Sequence, residues 1–195
     1  MKIVYFDYWT SGIHNFVPLS NSLCSEEYET MLFHIGSYND PGFAKEEYIN
    51  GILCRDISYY NTKYIYNALK KIKPDVIVSL NTTYLLDRAL VIACRHLNIK
   101  TVFMMHGDRP IGDEIDAVIK SRPYTLYKKI KKIKKYLSIV MPNFILSSWY
   151  YNWIDIVKFK PLKTAFGVFR DPEASNYYPP YPEDIIHDKC LVFAN

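Results

Sequence analysis

Lys73–Gly107 reads KPDVIVSLNTTYLLDRALVIACRHLNIKTVFMMHG. Asp75–Leu80 and Thr101–Met105 are short, largely apolar runs, and between them Tyr84, Leu85, Leu86, Leu90, Ala93 and Leu97 recur at helical spacing. Strand, helix, strand is therefore expected. Two strands joined by a helix pair in parallel, with the helix crossing over one face, so the stretch predicts a βαβ unit of an α/β sheet. Ligands of such sheets collect beyond the carboxyl ends of the strands. Here those ends read Ser79-Leu80-Asn81-Thr82-Thr83 and His106-Gly107-Asp108-Arg109. Both are polar and neither is needed to fill a core, so they mark a candidate site.

The flanking chain repeats the alternation. Lys2–Tyr8 reads as an opening strand, apolar on both faces and so central. It leads into Trp9-Thr10-Ser11-Gly12 and a helix expected from Asn15 to Cys24, with Pro18 in its first turn, where a missing N–H costs nothing. Glu29–Ile35 and Ile52–Ile57 are further strands, with a turn region at Gly36–Gly42 between them, and Thr62–Lys73 is a helix stopped by Pro74. Beyond His106 comes a helix over Tyr124–Leu137, ended by Pro142. A strand is expected at Asn143–Ser147, a helix at Trp149–Val157 and a strand at Leu162–Phe166. The expected domain layout is 1–168 as one α/β domain and 169–188 as a Pro-rich linker, with 189–195 as the first strand of a second domain.

At 195 residues, 49% hydrophobic and 23% charged, the chain is long enough for a well-buried domain. No stretch approaches the roughly 20 apolar residues of a membrane span, and the start is not that of a signal peptide. Cys24, Cys54, Cys94 and Cys190 form no CxxC pair and sit in apolar surroundings, which fits reduced core thiols in a cytoplasmic protein. The five histidines, at 14, 34, 96, 106 and 187, are too scattered to suggest a metal site.

Charge is unevenly placed. Of the net +4, Ala117–Ile154 contributes +8 through Lys120, Arg122, Lys128, Lys129, Lys131, Lys132, Lys134 and Lys135, leaving −4 elsewhere. Within YTLYKKIKKIKKYL, Leu126, Ile130, Ile133 and Leu137 form one apolar stripe among the lysines. Three readings fit: a solvated surface helix, a helix lying on an anionic membrane surface with tyrosines at headgroup level, or a nucleic-acid binder. The last lacks any accompanying recognition module and ranks below the others.

Three places, in this order, resemble the N-terminal, acceptor-side domain of GT-B-fold glycosyltransferases of the bacterial polysaccharide and cell-wall type. They are Ser11-Gly12-Ile13-His14-Asn15-Phe16-Val17-Pro18-Leu19; the pair Lys73–Val78 and Val102–Gly107; and Ile145–Tyr150 with Ala165–Val168, the Pro-rich stretch and Cys190–Phe193. The resemblance implies one half of a GT-B fold, a Rossmann-like parallel sheet with helices on both faces. It further implies transfer of a sugar from a nucleotide-sugar donor to a glycan or lipid-linked acceptor at the cytoplasmic membrane face. No metal or other cofactor would be needed, and a second Rossmann domain, in the full-length chain or as a partner subunit, would bind the donor. A fragment without that domain would be inactive.

The same resemblance makes His14 the general base. An imidazole, with an unperturbed pKa of about 6.5, accepts a proton near neutrality. The first loop and the polar strand ends together nominate Ser11, Gly12, Asn81, Thr82, His106, Gly107, Asp108 and Arg109 for substrate contacts. Structural alternatives stand beside these: His14 as an exposed loop residue, Asn81–Thr83 as helix caps, His106 as a strand-edge cap, Asp108 and Arg109 as a surface ion pair. At the level of function the alternatives are a sugar-nucleotide epimerase of the same two-domain build and a non-enzymatic α/β interaction domain.

Overall fold

The computed structural model describes residues 1–23, 27–80, 85–105, 125–151 and 188–192. Seven strands form one sheet: β1 (Lys2–Asp7), β2 (Glu29–His34), β3 (Glu46–Ile49), β4 (Ile52–Asp56), β5 (Val76–Ser79), β6 (Lys100–Met105) and β7 (Lys189–Val192). Their spatial order is β3-β4-β2-β1-β5-β6-β7, and every pairing is parallel except β3 with β4. With β3 set aside, the six parallel strands lie in the order third, second, first, fourth, fifth, sixth along the chain. This is the doubly wound, Rossmann-like order. The Lys73–Gly107 reading holds over its described part: β5 and β6 pair in parallel, Val76 opposite Lys100 and Ser79 opposite Phe103, with α3 (Leu85–His96) as the crossover.

Two apolar layers sandwich the sheet. On one face Ile3, Tyr5, Leu32 and Val78 pack under Ile13 and Phe16, which come from a 3-10 helix (Thr10–Asn15) and the start of α1 (Val17–Ser22). On the other, Val4, Phe6, Met31, Phe33 and Ile77 meet α2 (Ile65–Ile72) and α3 through Ile65, Leu69, Leu86 and Leu90. Tyr5, Phe6, Phe16 and Phe33 are wholly buried, and each such side chain contributes about 1.5–3 kcal/mol by leaving water.

The region after β6 departs from expectation. Pro142 does not end the basic helix, and Asn143–Ser147 is not a strand. Instead α4 (Leu126–Lys135) runs through a π-helical turn (Tyr136–Val140) into α5 (Met141–Tyr151). Proline is tolerated there because the helix has already changed its bonding. Met141 N–H reaches back five residues to Tyr136 O, and Ser138 O, the carbonyl that a residue-142 N–H would have met, lies 3.5 Å from Lys63 Nζ.

Asn143 then ties this helix to the sheet layer. Its Oδ1 accepts the first N–H of α2, from Ile65, at 2.7 Å, and its Nδ2 donates to Lys63 O at 2.8 Å and Ile139 O at 2.9 Å. The residue before α2, Tyr64, supplies no capping side chain, so a residue from nearly eighty positions away satisfies a donor that the helix start leaves open.

Lys189–Val192 was expected to begin a second domain. It is instead the edge strand of this sheet, with Val102 opposite Lys189 and Met105 opposite Val192. Asp188 fixes it: its carboxylate accepts the Thr101 N–H at 2.7 Å and the Thr101 hydroxyl at 3.0 Å. Burial opposes its ionisation, but these bonds and the charges of Lys100 and Arg95 hold the carboxyl below its ordinary range. Cys54 and Cys94 are buried free thiols, as expected, and burial pushes Cys54 up to about 11; Cys190 is exposed rather than in a core. No strand was foreseen at β3. The expected helix at Trp149–Val157 is described only as far as Tyr151, and the strand at Leu162–Phe166, most of the Pro-rich stretch and Cys24 lie outside the described residues.

Candidate functional site

The connections after β1 and after β5 leave on opposite faces of the sheet, so the crevice expected of a doubly wound fold lies at their carboxyl ends. The loop after β1 supplies the candidate residues there. Ile13 and Phe16 are buried anchors, Phe16 stacking on Tyr5 with ring centroids 4.7 Å apart. Ser11 and His14 are exposed, and Gly12 is half-buried. A Cβ built on Gly12 would overlap the Asp7 carboxylate, so a larger residue here would have to push that side chain or the turn aside. Asn15 Nδ2 donates to Gly12 O at 3.2 Å and closes the turn from the other side. His14 is thus an exposed imidazole on a backbone held at both ends.

Beside it lies a row of polar groups, of which only Ser79 falls in a stretch marked as a candidate site from the sequence. β4, β2, β1 and β5 end in Asp56, His34, Asp7 and Ser79, all buried, with Asp56 opposite His34 and His34 opposite Asp7. Asp56 accepts the Ser58 N–H at 2.8 Å and the Ser37 N–H at 3.0 Å, and its Oδ2 lies 3.3 Å from His34 Nδ1. Burial works against its charge, yet these three partners hold the carboxyl well below the usual carboxylate range.

Gly36 N–H also lies 3.3 Å from His34 Nδ1. One nitrogen cannot donate to Asp56 and accept from Gly36 at once. The ionised carboxylate is the stronger partner, so Nδ1 carries the proton. Nε2 meets no hydrogen-bond partner among the described residues. Phe43 covers this imidazole at 5.7 Å and touches Trp9, from the first loop, at 5.9 Å. The loops after β1 and β2 are therefore joined by an aromatic bridge over a fixed His–Asp pair. The signal was in the sequence: the runs YFD, LFH and CRD each end an apolar strand in a charged or titratable residue.

Of the nominated residues, the structure brings Ser11, Gly12 and His14 together at this edge. Asn81, Thr82, His106, Gly107, Asp108 and Arg109 lie outside the described residues. Lys128, Lys131 and Lys134 are exposed on α4, while Lys129, Lys132 and Lys135 are half-buried. Lys135 turns inward and donates to Asn39 Oδ1; burial, with help from Lys132 and Lys131, lowers it to about 8. A cleft of about 470 Å³ opens at the opposite, amino-terminal edge, between the ends of α2 and α3, lined by Lys70, Lys73, Asp75 and Asn98 among others. It holds no nominated residue. Among the described residues no group of three or more His, Cys, Asp or Glu is placed to hold a metal ion, and no helix is long and apolar enough to cross a membrane.

No family model matches the chain, and no curated protein matches it.

Proposed function

We propose that this chain forms the acceptor-side half of a GT-B-type glycosyltransferase, moving a sugar from a nucleotide-sugar donor to a glycan or lipid-linked acceptor. The observation that carries the reading is His14: an exposed imidazole on an anchored loop, at the carboxyl end of the first strand of a doubly wound sheet. In this scheme His14 takes the proton of the acceptor hydroxyl as the oxygen attacks the anomeric carbon of the donor. The bond from that carbon to the diphosphate breaks, and the nucleoside diphosphate leaves with the electron pair. Buried Ile13 and Phe16 anchor the loop, so the base is positioned before the acceptor arrives. A second Rossmann domain, from the same polypeptide or a partner subunit, binds the donor.

Product analysis with a panel of nucleotide sugars tests this. A glycoside formed together with nucleoside diphosphate supports transfer. Free, epimerised sugar points to the epimerase alternative, and no turnover of any donor by the complete assembly points to a non-enzymatic domain.

A further inference from the structure

α4 displays an apolar stripe to solvent. Leu126 is 65% exposed, Tyr127 74%, Ile130 54% and, just past the helix, Leu137 42%. None of the ten residues of α4 is buried, and they include six lysines and no acid. At 100° per residue Leu126, Ile130, Ile133 and Leu137 fall within an arc of about 60°. Lys129 lies on one flank of that arc and Lys134 and Lys131 on the other. A merely solvated surface helix would turn such a stripe inward. Here the inward side is taken instead by Tyr136, which joins Phe144 against Leu85, Val91 and Ile92 of α3.

The helix is also anchored where the candidate site lies. Lys135 donates to Asn39, and Asn143 Nδ2 lies 3.4 Å from the Tyr38 hydroxyl. Both partners belong to the connection leaving the carboxyl end of β2.

We infer that α4 docks the domain on an anionic lipid surface. Leu126, Tyr127, Ile130 and Leu137 enter the headgroup boundary, while Lys129, Lys131 and Lys134 on the flanks of the stripe meet lipid phosphates. A nucleic acid would use the lysines but has no use for four outward apolar side chains between them. A second copy pairing through this face would set lysines against lysines with no acid on the helix to offset them. A lipid surface takes both halves of the pattern. The helix would lie in the interface plane, its ten residues spanning about 15 Å.

The inference is independent of the proposed activity. Its test is flotation of the whole chain with vesicles of phosphatidylcholine alone or mixed with phosphatidylglycerol. Two variants, checked by circular dichroism, accompany it: Lys131→Glu/Lys134→Glu and Leu126→Ser/Ile130→Ser. All substituted side chains are exposed, so both should fold. Binding is expected only to the phosphatidylglycerol vesicles. It should weaken about 30-fold with the two reversals and about tenfold with the two stripe changes at unchanged charge. Equal retention on both vesicles, or binding indifferent to the stripe, overturns the proposal. So does a stripe effect that appears as a change in self-association without lipid.

Discussion

Asp56→Asn is the most informative single change at the carboxyl edge. The wild-type carboxylate accepts two backbone N–H groups, from Ser58 at 2.8 Å and Ser37 at 3.0 Å, and lies 3.3 Å from His34 Nδ1. Asparagine keeps the shape but has one acceptor oxygen, and its NH₂ must face at least one of these donors. The change removes a charge-assisted bond, worth about 1.5–3 kcal/mol, and leaves a buried donor unmet. The expected loss is about 3 kcal/mol, a large share of a typical stability of about 5–15 kcal/mol.

Urea unfolding followed by circular dichroism should show a lower midpoint with an unchanged slope. The pH dependence has a definite sign. Because the folded pKa of Asp56 lies below its unfolded value of about 3.9, its contribution is complete above that value and is lost as pH falls through the folded pKa. Wild type should therefore lose more stability than Asp56→Asn between neutral pH and the acid range. A variant within about 0.5 kcal/mol of wild type, with the same acid dependence, would refute the hydrogen-bonded anion.

Further expectations concern the parts that position the site. Gly12→Ala places a methyl group in the Asp7 carboxylate and should cost about 1–3 kcal/mol as the loop is pushed off β1, measured as a lower thermal midpoint. Asn143→Ala strips the long-range cap from α2 and leaves Ile65 N–H unmet; about 2–3 kcal/mol should be lost, with faster hydrogen exchange at Ile65. Asp188→Ala releases the β7 edge from Thr101. Amide exchange should accelerate along the β6 pairing partners while β1 and β2 remain protected, an outcome that a strand belonging to a separate domain would not give.

What the sequence made legible follows from how local each signal is. Lys73–Gly107 carries its own evidence: two apolar runs, a helical period between them and a proline before the first. β3 carries none, since EEYI is half exposed and becomes a strand only because Arg55, Cys54, Leu53 and Ile52 of β4 lie opposite. Pro142 was read by its usual effect within an α-helix, which the π turn before it and Lys63 from another element remove.

The terminal strand looked unpartnered because its partner, β6, is some ninety residues away, and the bond that fixes it joins Asp188 to Thr101. At the site, Gly12 was legible as a loop glycine, though its reason, the Asp7 carboxylate beneath it, was not. His34 and Asp56 escaped notice because they are 22 positions apart and gain meaning only as neighbours across parallel strands.

The central claim is that His14 is the base of a glycosyl transfer. The direct measurement is turnover of nucleotide sugar into glycoside by the complete enzyme and its His14→Ala variant, alongside the thermal midpoint of each. Since His14 is exposed, the substitution should leave stability within about 0.5 kcal/mol. Loss of the base should lower kcat about 10²-fold or more. Unchanged turnover in a folded His14→Ala protein would contradict the account.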